Sequence, residues 1–303
     1  MTAERQFGSG RLVGALFPLA SAFCLSVNNA AQSLYYDAGG TVPLMLLMRH
    51  ILYIASCLVI FPLIGKSFAV GGPNFRAALV SGTIYAFGMT TLLAAFLYIP
   101  VSLVILTLYT FPILTALMDA AVKRHWPGIG QLVCLLMAFA GLAVALEVTT
   151  FAHDPLGIFL VTVTAFCFAA AFVWNGHKLA DVDGTLVTFH MAIPGLVIMS
   201  VIAIYFGTGD FPLPDSATFA PMWIALIAYL VAFVTMFKGV EVIGPTPSAM
   251  IMNLEPVFTM MLAVVVLSEV LTPLRLLGAA IVLSAVLTSQ WLATRRVARN
   301  AAI

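Results

Sequence analysis

Residues 109–115 read Tyr-Thr-Phe-Pro-Ile-Leu-Thr, and residues 253–259 read Asn-Leu-Glu-Pro-Val-Phe-Thr. The two stretches lie 144 residues apart, and both carry proline at the fourth position and threonine at the seventh. Matches at proline are more persuasive than matches at leucine or valine, because proline is the rarer residue in apolar segments of this chain. The two stretches therefore indicate an internal repeat.

The same offset aligns the chain with itself without gaps from residue 37 to residue 132. The matched positions include Gly40 with Gly184, Thr41 with Thr185, Gly65 with Gly209, Phe75 with Phe219, Tyr85 with Tyr229 and Ile99 with Ile243. Self-similarity at a fixed offset is the signature of a repeated structural unit. We predict two halves, residues 1–148 and residues 149–303, each one five-helix repeat.

Composition predicts that both halves lie in a membrane. The chain is 62% hydrophobic and 8% charged, whereas a soluble domain carries about 25% charged residues. A helix that crosses the hydrocarbon core needs about 20 apolar residues. Ten such segments lie between turn signals, near residues 12–34, 42–64, 77–97, 101–122, 128–148, 156–176, 185–206, 220–240, 245–267 and 274–294. We expect the first of them to be retained as a span rather than removed as a signal peptide.

The predicted fold is an all-α membrane protein with ten transmembrane helices in two inverted five-helix repeats around a central cavity. The inversion follows because five is odd, so the second half begins on the opposite side of the membrane. Inverted repeats of this kind are common in secondary transporters, where the substrate site lies near the midplane at the repeat interface.

The basic residues predict the orientation. Threading ten spans places most of the 13 Lys and Arg residues on the side of the two termini. They are Arg5, Arg11, Lys66, Arg76, Lys123, Arg124, Lys178, Lys238, Arg295, Arg296 and Arg299. Cytoplasmic loops collect Lys and Arg, so both termini are expected in the cytoplasm and the chain in the inner (plasma) membrane. The formal net charge of +1 gives no nucleic-acid footprint.

A family resemblance begins at the second quoted stretch. Asn253-Leu-Glu-Pro-Val-Phe-Thr-Met-Met, followed by Leu267-Ser-Glu-Val-Leu-Thr-Pro and Leu277-Gly-Ala-Ala-Ile-Val-Leu, resembles the end of an EamA-type repeat. The first half shows a weaker copy, in which Lys123-Arg124-His125 replaces the acid that the pattern expects. The resemblance covers nearly the whole chain. It implies a transporter of the drug/metabolite transporter superfamily, whose cavity is lined mainly by helices 1, 3, 4, 6, 8 and 9.

Glu255 is the first candidate for a functional residue, because ionisable groups inside spans are costly and mark functional sites by default. It lies near the centre of the ninth predicted span, directly before Pro256. We predict that it binds a substrate ammonium or carries a coupling proton. The alternative is a structural carboxylate at a proline kink, which bonds freed backbone groups.

Arg49 is the second candidate. It can bind a substrate carboxylate or pair with Glu255, and the alternative is a side chain that extends to the nearby membrane surface. The remaining predicted substrate-binding residues are polar or aromatic groups within spans: Asn28, Tyr85, Tyr109, Trp174, Tyr229 and Asn253. Tyr109 corresponds to Asn253 by the repeat. Asn28 belongs to a polar stripe of the first helix that either lines the cavity, which we favour, or bonds neighbouring helices.

Several other features have simpler interpretations. Asp119 and Lys123 are expected to pair with each other at i, i+4. Small residues in the fifth and tenth spans suit close packing, either within the chain or in a homodimer. Gly207-Thr-Gly-Asp210 and Tyr36-Asp37 match elements of intramembrane aspartyl proteases, but Asp210 leads into the loop sequence Phe-Pro-Leu-Pro-Asp. No metal, phosphate-binding or nucleophile motif is present, so we predict neither an enzyme nor a cofactor.

Together these features predict a secondary transporter that is embedded in membrane lipids and moves small organic metabolites by alternating access. Amino acids or similar zwitterions, moved outward across the inner membrane, are the first substrate hypothesis. The resemblance implies it, since the family includes exporters of amino acids and other metabolites, and Glu255 and Arg49 can hold an ammonium and a carboxylate. The alternative is a carrier for another solute class, such as a vitamin, a nucleotide-like compound or a hydrophobic drug.

Overall fold

The computed structural model describes residues 2–147, 154–206, 215, 217–267 and 272–301. All regular secondary structure in these ranges is α-helical. The helices are α1 (Thr2–Asp37), α2 (Val42–Leu63), α3 (Gly72–Ala95), α4 (Val101–Leu108), α5 (Phe111–Lys123), α6 (Ile129–Ala145), α7 (Pro155–Lys178), α8 (Gly184–Phe206), α9 (Phe219–Ile243), α10 (Pro245–Met252), α11 (Glu255–Leu267) and α12 (Pro273–Ala301).

The membrane fold predicted from composition is confirmed. Nine segments of the described chain are long and apolar enough to cross a membrane, with α4–α5 and α10–α11 each counted as one segment. The helix Ile129–Ala145 is apolar but shorter, so the predicted fifth span ends earlier than residue 148. The sixth span begins at Pro155, one residue before its predicted start. The Asp154 side chain accepts a hydrogen bond from the Leu156 N–H, and proline at the first helical position lacks an N–H that would be unpaired there.

The fourth and ninth spans differ from the sequence prediction, because each is two short helices rather than one continuous helix. The breaks lie at Tyr109–Thr110 and Asn253–Leu254, which are the stretches that match in the repeat. Pro112 and Pro256 have no N–H, so the carbonyl four residues earlier in each span loses its helical donor. The chain tightens there into i to i−3 hydrogen bonds, such as Asn253 N–H to the Met250 carbonyl at 3.2 Å.

Eight of the helices form two bundles that flank the centre of the protein. The first bundle contains α1, α9, α10 and α11, and the second contains α3, α4, α5 and α7. Hydrogen bonds hold each bundle together, including Ser21 Oγ to the Ala232 carbonyl at 2.9 Å in the first and Thr91 to Thr164 at 2.9 Å in the second. Helices α2 and α8 pack on each other and on both bundles, while α6 packs along α12.

The packing is what an inverted repeat would produce. Under the repeat, α1 corresponds to α7 and α9 corresponds to α3. The pair α1–α9 is closely packed, and so is the corresponding pair α7–α3. The same correspondence converts the contacts of α1 with α10 and α11 into those of α7 with α4 and α5, which are also present. These correspondences support the two-repeat organisation, which stays a prediction.

Among the described residues, the helices of the two bundles make their main contacts toward one end of the molecule. We call this the termini end, because α1 begins and α12 ends there, and we call the opposite end the far end. At the termini end α5 packs on α10 and α7 packs on α9 and α10. At the far end, within the described residues, α4 and α11 make no comparable contact with the opposite bundle. The bundles therefore diverge toward the far end.

The close packing of α6 on α12 gives a first testable prediction. A Cβ atom at Gly278 would overlap backbone atoms of Gly141 and Ala145, so Gly278→Ala must separate the two helices. Overpacking of this kind costs about 1–3 kcal/mol, and we expect a lower melting temperature in detergent. Gly72→Ala is the matched control, because a Cβ there meets nothing within 4 Å; equal melting temperatures for both variants would contradict the prediction.

The packing of α6 on α12 also shows where the small residues of the fifth and tenth spans make their contacts. Ala138, Ala145, Val282 and Ala285 are each at most 1% exposed. The small residues of the fifth and tenth spans are therefore used for contacts inside the chain, not for contacts between two copies.

Candidate functional site

Glu255 lies at the centre of the molecule, as the first residue of α11. It is ten residues from the termini end of its span at Pro245, a rise of about 15 Å. Asn29 Nδ2 donates a hydrogen bond of 3.0 Å to Glu255 Oε1, and the Tyr109 hydroxyl interacts with the same carboxylate. The side chain is surrounded by protein atoms but keeps part of its surface accessible, so it lies on the wall of a cavity between the bundles.

Arg49 lies in the second turn of α2 and is only 6% exposed. Its guanidinium carbon is 3.9 Å from the centre of the Tyr229 ring, a cation–π arrangement. The side chain therefore points into the protein and does not extend to the membrane surface. Its Nε has no hydrogen-bond partner, and among the described residues no carboxylate forms an ion pair with it. The possible pairing with Glu255 is thus not formed in this structure.

Aromatic contacts link Tyr85 to Arg49. Arg49 lies over the Tyr229 ring, and the Tyr229 ring stacks on Phe233 at 5.7 Å. The Tyr85 ring stacks on Phe168 at 4.6 Å and contacts Phe233 at 5.5 Å. Its position is therefore fixed by aromatic packing from both bundles.

The remaining predicted site residues mostly make structural contacts. Asn28 Nδ2 donates to the Ala225 carbonyl at 2.9 Å. Ser21 Oγ, about two helical turns earlier on α1, donates to the Ala232 carbonyl. The polar stripe of the first helix thus contains two residues that join α1 to α9, as the alternative interpretation expected, and a contact of Asn28 with the substrate stays a prediction. The residue of α1 that faces Glu255 is Asn29, next to the stripe.

Asn253 and Trp174 also satisfy backbone groups. Asn253 Nδ2 donates to the Met250 carbonyl at 3.0 Å, where the helix break leaves acceptors unpaired. Trp174 Nε1 donates to the Ala77 carbonyl at 3.0 Å, which joins α7 to α3 inside the second bundle. The polar groups of both side chains are therefore occupied, and we leave both residues out of the proposed binding site.

Aromatic side chains close the cavity toward the termini end. Phe111, Phe168 and Phe172 from the second bundle lie beside Phe233 and Phe237 from the first, with Phe172 and Phe237 in contact at 5.6 Å. Side chains of both bundles thus interlock below Glu255. Toward the far end from these rings, Asn29, the α1 residue that bonds Glu255, is exposed.

The predicted pair Asp119–Lys123 is confirmed, with 2.8 Å between the Lys123 Nζ and Asp119 Oδ2 atoms. Sequence reasoning missed its further partners. His177 Nε2 lies 2.7 Å from Asp119 Oδ1, and Thr246 Oγ1 donates to Asp119 Oδ2 at 2.8 Å. These residues lie 58 and 127 positions away along the chain, and no local spacing signals such contacts.

The site holds charges and aromatic faces rather than a reactive constellation. Within the described ranges, no group of three His, Cys, Asp or Glu side chains is placed to hold a metal ion. The protease-like segment Gly207–Asp210 lies outside the described residues. A buried guanidinium and a buried carboxylate that face one cavity, with no counter-ion between them, are suited to reversible binding of a charged solute.

Comparison with known proteins agrees with this interpretation. Residues 155–290, a little under half of the chain, match the model of the EamA-like transporter family, which confirms the predicted resemblance over that part of the chain. That family contains membrane transporters of the drug/metabolite transporter superfamily, not enzymes. No curated protein matches the sequence significantly. A solved structure whose title says only that it is the crystal structure of a protein matches with a TM-score of 0.77 at 19% identity, covering 94% of this chain and 98% of that chain. At that identity the likeness carries the fold alone.

Proposed function

We propose that this chain, whose residues 155–290 belong to the EamA-like transporter family, is a secondary carrier of zwitterionic metabolites. Amino acids are the first substrate class, with Arg49 binding the carboxylate and Glu255 binding the ammonium. The carrier works by alternating access in the inner membrane, with both termini in the cytoplasm, as the basic residues favour. Outward transport is proposed from the resemblance to metabolite exporters.

A single observation carries the substrate class. Arg49 and Glu255 are opposite charges within the spans, and neither forms an ion pair among the described residues. An unpaired buried charge costs several kcal/mol, so a protein keeps two of them only if something offsets that cost. A zwitterion compensates both charges at once, whereas an anion or a cation compensates only one. Tyr85, between them, is placed to contact the middle of the same solute.

The arrangement of the bundles supports alternating access. The site lies between two bundles that meet at the termini end and diverge at the far end. Site residues come from both sides, with Asn29, Tyr229 and Glu255 on the first bundle and Tyr85 and Tyr109 on the second. A rocking motion of one bundle against the other would close the far end and open the termini end around the same residues.

Radiolabelled flux into proteoliposomes tests the substrate class. We expect counterflow of zwitterionic amino acids, with analogues lacking either the ammonium or the carboxylate bound roughly tenfold more weakly or worse, because hydrogen bonds to charged groups contribute about 1.5–3 kcal/mol. Protein-free liposomes are the control. Flux of a vitamin, a nucleotide-like compound or a hydrophobic drug, together with none of any amino acid, would replace this proposal by the alternative solute class.

A further inference from the structure

Two clusters of charged side chains join the bundles and their neighbours at the termini end. In the first, Asp119 on α5 is 5% exposed and accepts hydrogen bonds from Lys123 on its own helix and from Thr246 on α10. His177 on α7 lies 2.7 Å from its other carboxylate oxygen. Because Asp119 and Thr246 belong to opposite bundles, this cluster crosses the mouth of the cavity.

The second cluster is centred on Asp183, in the turn between α7 and α8. Lys66, which follows α2, donates to Asp183 at 2.6 Å, and Lys238 on α9 donates to it at 3.3 Å. Lys238 also donates to Glu241 at 2.6 Å, and Glu241 accepts from the Gly184 N–H. The second cluster thereby holds together the segment after α2, the turn between α7 and α8, the first residue of α8, and α9.

These bonds survive at neutral pH. Partial burial by itself raises the pKa of Asp183, but the hydrogen bonds from Lys66 and Thr185 and the charge of Lys238 outweigh it and hold the pKa well below its usual range. A carboxylate with a depressed pKa contributes its full stabilisation above the ordinary carboxylate pKa and loses it only as the pH falls through the depressed value. The Asp183 carboxylate is therefore ionised at the pH of a cell.

The sequence positions that correspond to these clusters under the repeat do not carry an equivalent set of charges. Under the 144-residue offset, Lys66 maps to Asp210, Asp119 to Ala263, His177 to Ser33, Asp183 to Gly39 and Lys238 to Ala94. The mapped positions hold one acid and no base, so they cannot form an ion pair with one another.

One ion pair at the far end, Glu147–Arg275 at 3.4 Å, does connect the two halves. It joins α6 to α12, which are packed together from Gly130 and Leu292 at the termini end to Gly141 and Gly278 further along. This pair lies outside the two bundles and does not have to break when they move.

We infer that Lys66, Asp119, His177, Asp183, Lys238 and Thr246 form a termini-end latch that makes the far-open conformation the resting state of the carrier. Two inverted repeats related by a two-fold axis in the membrane plane would by themselves give two conformations, one open at each end, with nearly equal free energy. The latch stabilises only one of them, and its positions have no counterpart that would stabilise the other. The latch rests on the alternating access of the proposed function, but not on the identity of the solute.

The latch can be tested without substrate by double electron–electron resonance. Spin labels at exposed Lys178 and Val242, on the termini ends of α7 and α9, report the separation of the bundles. We expect one short distance in the otherwise unmodified chain. In the Asp119→Asn/Asp183→Asn variant we expect a second, longer distance, with the ratio of open to closed molecules raised about tenfold or more.

Glu147→Gln is the matched control, because it removes an ion pair of similar length that lies outside the bundles. Labels at Leu97 and Phe219, both exposed at the far end, report the other side of the carrier. In the Asp119→Asn/Asp183→Asn variant we expect them to show a second, shorter distance. An unchanged distance distribution in the double asparagine variant would overturn the latch. A shifted distribution in a protein that transports no zwitterion would instead overturn the proposed function and leave the latch standing.

Discussion

Replacing Arg49 by glutamine should abolish high-affinity transport of zwitterions without weakening the fold. The guanidinium is buried over the Tyr229 ring and has no acidic partner among the described residues. Its removal takes away the charge that holds the substrate carboxylate, worth about 1.5–3 kcal/mol. We expect KM in proteoliposome flux to rise roughly tenfold to a hundredfold. The melting temperature of the empty carrier should stay the same or rise, because an unpaired buried charge destabilises the protein that contains it.

Two variants separate the charge of Arg49 from its geometry. Arg49→Lys keeps the charge but loses the planar fork that matches a carboxylate, so transport should fall but not vanish. Tyr229→Phe keeps the ring face under the guanidinium and should retain most activity. If Arg49→Gln lowers the melting temperature and leaves KM unchanged, then Arg49 is a structural residue and the carboxylate subsite lies elsewhere.

The sequence predicted the membrane fold well because the relevant signals are local. A run of about 20 apolar residues needs no neighbour to be recognised. The orientation inferred from the charge asymmetry of the loops stays a prediction. Helix starts with a side-chain cap, such as Asp154 before Pro155, were also predictable. Element boundaries were less accurate, because tertiary packing decides whether a helix such as α6 ends at Ala145 or continues.

The breaks in the fourth and ninth spans show a different limit. Pro112 and Pro256 were visible in the sequence, and a kink was an expected alternative. A proline removes one donor, but whether the chain bends slightly or divides into two helices depends on what satisfies the freed carbonyls. In the ninth span the Asn253 side chain bonds the Met250 carbonyl, which stabilises the division.

Part of the candidate site could be predicted because a charged residue inside an apolar span is a local signal. Arg49 and Glu255 could be selected from the sequence because a charge inside a span is costly wherever it points. Uncharged polar residues could not be sorted in this way. Asn28 and Asn29 are adjacent and identical in type, yet Asn28 bonds the Ala225 carbonyl and Asn29 bonds Glu255. Only the placement of α9 and α11 around α1 distinguishes them.

Glu255→Gln is expected to weaken transport of zwitterions and to flatten its dependence on pH. Glutamine has nearly the same size and can still accept the hydrogen bond from Asn29, so the cavity should keep its shape. The substitution removes both the negative charge that binds the ammonium and the group that would carry a coupling proton. We expect KM to rise roughly tenfold or more, and transport measured from acidic to basic pH should vary less than in the unmodified carrier.

The two charged residues can be assigned to their subsites by pairing each variant with a matched analogue. If Glu255 binds the ammonium, an analogue without that group should bind the Glu255→Gln variant as well as it binds the unmodified carrier. The same analogue should remain sensitive to Arg49→Gln, because its carboxylate still needs the guanidinium. An analogue without the carboxylate should show the reverse pattern. An analogue that lacks a group makes no contact with that group's partner, so removing the partner should not weaken its binding. Equal sensitivity of both analogues to both variants would therefore mean that Arg49 and Glu255 act on the conformation of the carrier rather than on the solute.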